Sequence, residues 1–396
     1  MMTHNRQARY LLCAMILTFC CGSAIAASEK VIYAFKGAPD GRLAYSDLVS
    51  DSAGNLYGTT CAGGDIDRGT VYELSPSGNI WTEKILYSFT SAADGGCPMG
   101  ALAFDSLGNA YGTTDNAGEV GCGTVFQLVP SGDQWQEQTI YTFQNTGDGC
   151  NPDTPVVIDP LGNIFGTTSA RNSCCSATVF QLAPSNGQWI ETTLYAFEPS
   201  RAFDFVAGLT LDATGNLYGT TPYGGNYGGG DVFKLSQVSG SWVISSLFSF
   251  SGGNNGCVPH GVTLDSAGNL YGTTIQCGAD EVGTVFKLTP TKGQWGMKIL
   301  HTFTGALDGG YPFGDLKLDT AGNVYGTTEF GGLYGLGTAF RLTKGSWKEL
   351  EYSFAGGNDG RYPYSGLTLG NGVVFGTTVS GGVQNKFGTV YEISVK

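Results

Sequence analysis

Hydrophobic and polar positions alternate over short stretches that recur along the whole chain. In one representative unit the stretches run from Val262 to Asp265, Leu270 to Thr274, Thr284 to Leu288 and Trp295 to Phe303. β-Branched and aromatic residues fill these stretches, and clusters of Gly, Asn, Asp and Pro separate them, which is typical of strands joined by turns. No stretch after residue 27 sustains the period of an amphipathic helix. The pattern predicts an all-β protein built from units of four antiparallel strands.

A seven-residue phrase, Gly-Asn-x-Tyr/Phe-Gly-Thr-Thr or a close variant of it, marks the second strand of every unit. Its aromatic residue falls at Tyr57, Tyr111, Phe165, Tyr218, Tyr271, Tyr325 and Phe375. The repeat length and the four strands per unit are typical of a β-propeller blade. Seven copies of the phrase therefore predict a seven-bladed β-propeller with four-stranded blades.

The two ends of the repeat array complement each other. The last unit ends after its third strand, Thr389 to Ile393, while Val31 to Phe35 form a fourth strand that no unit precedes. Pairing these segments completes the seventh blade and removes the exposed edges that an open solenoid, the alternative, would leave. We therefore expect one closed domain covering residues 27–396.

The first 26 residues have the features of a secretory signal peptide. Arg6 and Arg9 precede an apolar run, and Ala24-Ile25-Ala26 is a cleavage sequence; acylation at Cys20 or Cys21 is the weaker alternative. Removing the signal leaves 18 basic and 33 acidic residues, a net charge of −15. This charge argues against nucleic acid and anionic membranes as partners. We expect an exported monomer that is secreted, periplasmic or held at the cell surface, without membrane insertion.

The cysteines after the signal all lie in the longer loops, which the strand order places on one face of the disc: Cys61, Cys97, Cys122, Cys150, Cys174, Cys175, Cys257 and Cys277. An even number in an exported chain indicates disulfides. Cys257 and Cys277 flank one inner hairpin and are the expected pair. For the others, either Cys61 pairs with Cys97 and Cys122 with Cys150, or Cys97 pairs with Cys122 and Cys150 with Cys174 or Cys175. The spacing predicts no metal site, and no motif predicts a cofactor.

The motifs together resemble those of the GloVer tandem-repeat proteins, also called choice-of-anchor GloVer-containing proteins. The resemblance is carried by Gly-Thr-Val-Phe/Tyr-x-Leu, by Tyr-x-Phe followed by Asp-Gly, and by Asp-x-x-Gly-Asn-x-Tyr-Gly-Thr-Thr, and it covers nearly all of the chain after the signal. It implies an exported repeat protein with no established activity. Family members often carry a surface anchor, which this sequence lacks in recognisable form.

Candidate functional residues are those at which the units differ. The position five residues before the Asp that ends each inner strand holds Ser46, Gly100, Thr154, Ala207, His260, Gly314 and Ser365. His260 is the one large and titratable member, and with Asp204 or Asp315 it is a candidate for acid–base chemistry. The alternative is a histidine that fills a local gap and bonds to the backbone.

A second candidate is a pair of matching loop segments in blades that ring closure makes neighbours. Arg42 with Tyr45 and Arg361 with Tyr364 occupy equivalent positions, and guanidinium groups beside aromatic rings suit a carboxylate or a sugar. Solvated arginines that pair with nearby acids are the alternative.

The sparse catalytic inventory favours a non-catalytic propeller that binds a carbohydrate or a protein at the cell envelope through its cysteine-bearing face. An enzyme of the polysaccharide lyase or hydrolase type, with its site near His260, is the first alternative. A purely structural envelope protein is the second.

Overall fold

The structure is a computed structural model that describes residues 28–169, 176–198, 207–346 and 349–395. Those residues form seven four-stranded antiparallel sheets, arranged as the blades of a β-propeller. In the described part of the chain, helical geometry is limited to two 3-10 turns, Gly253–Asn255 and Val383–Asn385. The signal segment, Cys174, Cys175, Asp204 and Trp347 lie outside the described residues.

Each blade begins at the channel and ends at the rim. The innermost strands of blades one to seven are β3 (Val49–Ser50), β8 (Ala103–Phe104), β12 (Val157–Ile158), β16 (Thr210–Leu211), β20 (Cys257–Leu264), β24 (Lys317–Leu318) and β28 (Thr368–Leu369). The second strands are β4 (Leu56–Thr60), β9 (Ala110–Thr114), β13 (Ile164–Thr167), β17 (Leu217–Thr221), β21 (Leu270–Gln276), β25 (Val324–Thr328) and β29 (Val373–Thr378).

The outer half of blades one to six is a hairpin, and that of blade seven is an antiparallel pair formed by the last and first strands of the chain. The third strands are β6 (Thr70–Ser77), β10 (Thr124–Ser131), β14 (Thr178–Ser185), β18 (Asp231–Val238), β22 (Thr284–Thr291), β26 (Thr338–Leu342) and β30 (Thr389–Ser394). The outermost strands are β7 (Ile80–Ser88), β11 (Gln134–Thr142), β15 (Gln188–Ala196), β19 (Ser241–Ser249), β23 (Gln294–Thr302), β27 (Glu349–Ser353) and β1 (Glu29–Ala34). A separate two-stranded pair, β2 (Gly41–Arg42) and β5 (Ala62–Gly63), links two loops of blade one.

The first strand completes the last blade, as the sequence predicts. β1 pairs antiparallel with β30, and Val31 lies opposite Tyr391 in the register. Phe35 is fully buried at the end of β1, and its ring meets the ring of Tyr72 in blade one edge to face at 5.2 Å between centroids. The closing strand therefore contributes to the core on both sides of the seam.

Adjacent blades are held together by apolar clusters that each draw on two neighbouring blades. Phe143 at the end of one outermost strand is fully buried and packs against Phe180 of the next blade at 5.2 Å. The tryptophans that the structure describes also pack across blade boundaries; Trp81 meets Phe375 at 5.8 Å. However, Trp81 is only partly buried, because its strand lies at the rim of the disc.

The repeated phrase proves to be a structural motif. In blade two, Asp105 accepts hydrogen bonds from the backbone and side-chain nitrogens of Asn109 and from the hydroxyl of Tyr111, which fixes the hairpin between the two inner strands. The hydroxyl of Thr113 donates to the carbonyl of Thr154 in the next blade at 3.0 Å. These contacts give the recurring phrase a structural role.

The Asp-Gly step between blades is also a rigid turn. The hydroxyl of Tyr141 donates to Asp148 at 2.9 Å, and the same carboxylate accepts from the backbone nitrogen of Gln144. His301 replaces this tyrosine in blade five, and its Nε2 lies 3.3 Å from Asp308. His301 therefore fills a structural position.

Candidate functional site

The mouth of the central channel holds a cavity of about 530 Å³, lined by residues from all seven blades. Most lining residues lie just before an innermost strand or at the end of a second strand. In an antiparallel blade these two positions are at the same end, so the cavity opens on the face that carries the longer loops. Its volume lies within the range of about 300–1,000 Å³ that is usual for small-molecule sites.

Disulfides stiffen this face. Among the described residues Cys61 pairs with Cys97, Cys122 with Cys150, and Cys257 with Cys277. This arrangement contains the pair expected from the sequence and the first of its two alternative pairings. Each bond ties a blade-to-blade loop to a loop that follows a second strand. The lining segments around the cavity are therefore fixed close to where they leave the sheets.

Four rings from consecutive blades form one side of the cavity, which we call the aromatic wall: Tyr45, Tyr364, Phe313 and His260. Tyr45 meets Tyr364 edge to face at 5.5 Å, and Tyr364 stacks on Phe313 at 4.5 Å with an interplanar angle of 19°. The His260 ring lies 6.1 Å from Phe313. Ring closure brings Tyr45 and Tyr364 together, since they belong to the first and seventh blades.

The opposite side of the cavity is lined by small residues. The repeat position that His260 holds in blade five, which we call the His260 column, is filled in blades two to four by Gly100, Thr154 and Ala207. Their short side chains leave space facing the aromatic wall. The cavity therefore has one aromatic side and one side of small residues.

Below the aromatic wall lies a group of charges that we call the channel cluster: Asp47, Asp315 and Lys317. Lys317 Nζ is 3.1 Å from Asp47 Oδ2, and Asp47 Oδ1 accepts a hydrogen bond from the backbone nitrogen of Gly366 at 2.6 Å. A side chain at position 366 would collide with Asp47 and with the backbone of Asp315. The glycine of blade seven therefore lets charges from blades one and six meet.

Electrostatics within the channel cluster shift the pKa values of Asp315 and Lys317. Burial raises the pKa of Asp315, as does the nearby charge of Asp47, while Lys317 acts in the opposite direction. The Asp47 carboxylate in turn raises the pKa of Lys317, which keeps this lysine charged. Asp315 thus keeps its proton to a higher pH than an ordinary aspartate does.

His260 lies on an inner strand that extends further toward the loop face than its counterparts. The sequence predicts this strand from Val262, but β20 begins at Cys257, where the disulfide to Cys277 holds the two strands together. The register shifts between His260 and Val262, and Gly261 adopts a positive φ of 56° at this bulge. The bulge turns His260 into the aromatic wall.

The His260 side chain is neutral and incompletely satisfied. Its Nδ1 is buried and has no hydrogen-bond partner among the described residues. Burial lowers the pKa of His260, although the carboxylates of Asp315 and Asp47 act against that shift. Asp315 is directed at Gly261, since a side chain there would collide with Asp315 Oδ1. The structure thus brings His260 and Asp315 together, whereas Asp204 lies outside the described residues.

The arginines of the two matching segments do not line the cavity. Arg42 instead pairs with Asp67, with its Nη2 2.6 Å from Asp67 Oδ2, because β2 turns it toward the loop that follows β5. The Arg361 guanidinium lies 5.3 Å above the ring of Tyr362. The tyrosines of the two segments, and not the arginines, build the site.

Phe313 and Glu329 are among the lining residues that were not identified from the sequence. Phe313 occupies the position just before the His260 column, where Tyr45 and Tyr364 also lie, so three aromatic residues in one column were the available signal. Glu329 follows the Thr-Thr of blade six, a position whose exposure to the channel is not evident from sequence. Burial raises the pKa of Glu329, and its charge contributes to raising the pKa of Tyr45.

The arrangement suits recognition of a compact ligand with polar edges and an apolar face. Aromatic rings offer stacking surfaces, and the carboxylates offer hydrogen-bond acceptors. No group of three or more histidine, cysteine, aspartate or glutamate side chains in the described ranges is arranged to hold a metal ion. Over the same ranges, no helix has the length and apolar character needed to cross a membrane.

Comparison with known proteins identifies the repeat. The model of the Gloeobacter/Verrucomicrobia repeat matches residues 23–213 and again residues 205–396. No curated protein matches the sequence.

Solved structures show the same fold at low identity. The extracellular domain of a candidate one component system from B. thetaiotaomicron is 13% identical with a TM-score of 0.56, over 93% of this chain and 42% of that chain. A candidate 6-phosphogluconolactonase from Bacteroides uniformis is 14% identical with a TM-score of 0.54, over 81% of this chain and 88% of that chain. This chain therefore spans less than half of the first of these proteins, and the similarity establishes the propeller fold alone.

Proposed function

This chain belongs to the Gloeobacter/Verrucomicrobia repeat family, and from that premise we propose that it is an exported propeller that binds a carbohydrate in the cavity at its disulfide-bearing face. The observation that carries the proposal is the aromatic wall. Tyr45, Tyr364 and Phe313 form a contiguous set of rings that lines a cavity whose other lining groups include hydrogen-bonding side chains. Sugar rings present apolar faces and hydroxyl edges, and they fit such a surface.

Export is supported by the disulfides, since such bonds persist in oxidising compartments. The similarity to an extracellular domain agrees with it at the level of the fold. Secretion, a periplasmic location and attachment to the cell surface all remain compatible with this proposal. The alternative ligand is a protein that binds at the same face, and the binding experiment below also tests this alternative.

The experiment compares glycan binding by the wild type and by two tyrosine variants. Tyr45→Ala removes part of the aromatic wall, whereas Tyr227→Ala removes an exposed ring, 69% accessible, in a long loop of blade four outside the cavity. We expect binding on a glycan array, measured again by calorimetry, to be lost in Tyr45→Ala and kept in Tyr227→Ala. Equal affinity of Tyr45→Ala and Tyr227→Ala for the glycan would contradict the proposed site. Binding of envelope proteins, without binding of any glycan, would favour a protein as the ligand.

A second candidate function is hydrolysis or elimination on the same class of ligand. A specific observation favours it: the neutral His260 lies beside Asp315. The raised pKa of Asp315 makes this carboxyl group a proton donor. A polysaccharide or a lactone would be the substrate. His260→Gln and Asp315→Asn should then abolish turnover while binding remains. A bound saccharide that is recovered unchanged after long incubation with the wild type would exclude this candidate. If no ligand binds at all, a purely structural role in the cell envelope is the function that is left.

A further inference from the structure

The charges that line the cavity have one sign. Four carboxyl groups are among its lining residues, Asp47, Asp153, Asp315 and Glu329, while none of the described lining residues is lysine or arginine. His260 adds no positive charge near neutral pH because burial lowers its pKa. Lys317, next to the cavity, offsets the charge of Asp47, and the raised pKa of Asp315 reduces its charge. The remaining lining carboxyl groups, Asp153 and Glu329, favour cations over anions.

Two of these carboxyl groups already have partners. Asp47 pairs with Lys317 at 3.1 Å, and Asp153 accepts a hydrogen bond from the hydroxyl of Ser169 at 2.9 Å. Glu329 directly follows the second strand of blade six, whereas the other three carboxyl groups lie just before an innermost strand. Its side chain is half-buried. Burial of a carboxylate is costly without a cation nearby. A positive group on the ligand would offset this cost at Glu329.

The aromatic wall provides a second, independent reason for a cation. Glu329 and Tyr45 both line the cavity, and burial together with the charge of Glu329 raises the pKa of Tyr45. Beyond Tyr45 the rings of Tyr364 and Phe313 continue the wall. The face of an aromatic ring attracts an ammonium group, and the attraction grows when water is excluded. Aromatic rings and a half-buried carboxylate therefore line the same cavity.

We propose that the ligand of the cavity carries a positive charge, and that it is an amino sugar unit with a free ammonium group placed between Glu329 and the aromatic wall. The inference rests on the carbohydrate-binding function proposed above and narrows its ligand class. It disfavours phosphorylated sugars and uronates, which need positive side chains. The ligand proposed here therefore differs in charge from the phosphorylated substrate that the name of the 6-phosphogluconolactonase indicates for that protein.

The test uses disaccharides with the same β-1,4 linkage that differ at the second carbon. Cellobiose carries a hydroxyl there, di-N-acetylchitobiose an acetamide, and the deacetylated disaccharide an ammonium group; digalacturonic acid serves as an anionic probe. Binding is measured by calorimetry at low ionic strength. We expect the ammonium disaccharide to bind about ten- to a hundredfold more tightly than the two neutral ones, as for a charge-assisted contact. The anionic probe should not bind.

Glu329→Gln keeps the shape of the side chain and removes its charge, so the preference for the ammonium disaccharide should disappear. Glu119→Gln makes the same change in an exposed loop of the same face, outside the cavity, and should retain the preference. Addition of salt should weaken the ammonium disaccharide more than the neutral ones.

The outcomes separate this inference from the proposal beneath it. Binding of neutral and ammonium disaccharides with equal affinity overturns the charge inference and leaves carbohydrate binding in place. Tighter binding of digalacturonic acid also overturns it. A preference that persists in Glu329→Gln refutes the role of Glu329. Failure of every saccharide to bind, up to millimolar concentration, overturns both proposals.

Discussion

Replacing Lys317 with methionine removes the cation that holds Asp47 in place beside Gly366. Asp47 belongs to blade one and Lys317 to blade six, so their contact ties together blades on either side of blade seven. In Lys317→Met the carboxyl groups of Asp47 and Asp315 face each other without a compensating charge. Asp47→Asn is the matching change, because the amide oxygen still accepts the hydrogen bond from Gly366.

The size of the effect follows from the geometry. At 3.1 Å, Coulomb's law with an effective dielectric constant of about 20 gives roughly 5 kcal/mol. The Lys317 side chain is 36% exposed, so solvent screening and desolvation reduce the net value to about 1–2 kcal/mol. In Asp47→Asn, Asp315 also ionises more readily and takes over part of the attraction to Lys317. We therefore expect a coupling energy near the lower end of this range.

The assay is a double-mutant cycle in urea, followed by tryptophan fluorescence. The wild type, Lys317→Met, Asp47→Asn and the double variant give the coupling energy directly. Both single variants should be less stable than the wild type, and the double variant should lose less than the sum of the two. A coupling energy below about 0.3 kcal/mol would refute the argument, because independent sites add within that error.

Three further predictions concern the rim and the loop face. Burial and the charge of Asp359 raise the pKa of Glu29 from 4.5 to about 8. Between these two pH values the folded state holds a proton that the unfolded state releases, so the stability of the protein should fall as the pH rises from 4.5 toward 8. In Glu29→Gln the urea midpoint of unfolding should depend less on pH over that range. Trp81→Ala should lower the unfolding free energy by about 2–3 kcal/mol, less than the ~3–5 of a fully buried tryptophan; a loss near zero would contradict its packing between blades. Replacing Cys257 and Cys277 together by serine should cost about 2–4 kcal/mol in equilibrium unfolding and weaken ligand binding; unchanged affinity would show that this staple does not support the site.

The architecture could be predicted from sequence because the repeat states it seven times. A single unit is ambiguous, but the recurrence of the Tyr-Gly-Thr-Thr phrase sets the blade count, and the unpaired strand at Val31 sets the closure. The same closure predicted that Tyr45 and Tyr364 would be neighbours. Where every unit agrees, the local signals and the packed structure reinforce one another.

The site was less predictable because it depends on contacts between units. His260 was evident as the exception in its column, but its proximity to Asp315 depends on the bulge at Gly261, which sequence spacing does not reveal. The position of Arg42 outside the cavity could not be predicted, since its partner Asp67 lies in a loop whose path is set by the pairing of β2 with β5. Glu329 escaped notice because an acidic residue in a loop is ordinary unless its burial is known.

The closed ring is the central claim, and its most direct test compares two phenylalanines at equivalent positions. Phe35 and Phe143 each directly follow an outermost strand, are fully buried, and have ring centroids 5.2 Å from that of an aromatic ring of the following blade. If the first strand is part of blade seven, Phe35→Ala and Phe143→Ala should each lower the unfolding free energy in urea by about 3–5 kcal/mol. A loss below about 1 kcal/mol for Phe35→Ala, with the full loss for Phe143→Ala, would show that the ring is not closed by that strand.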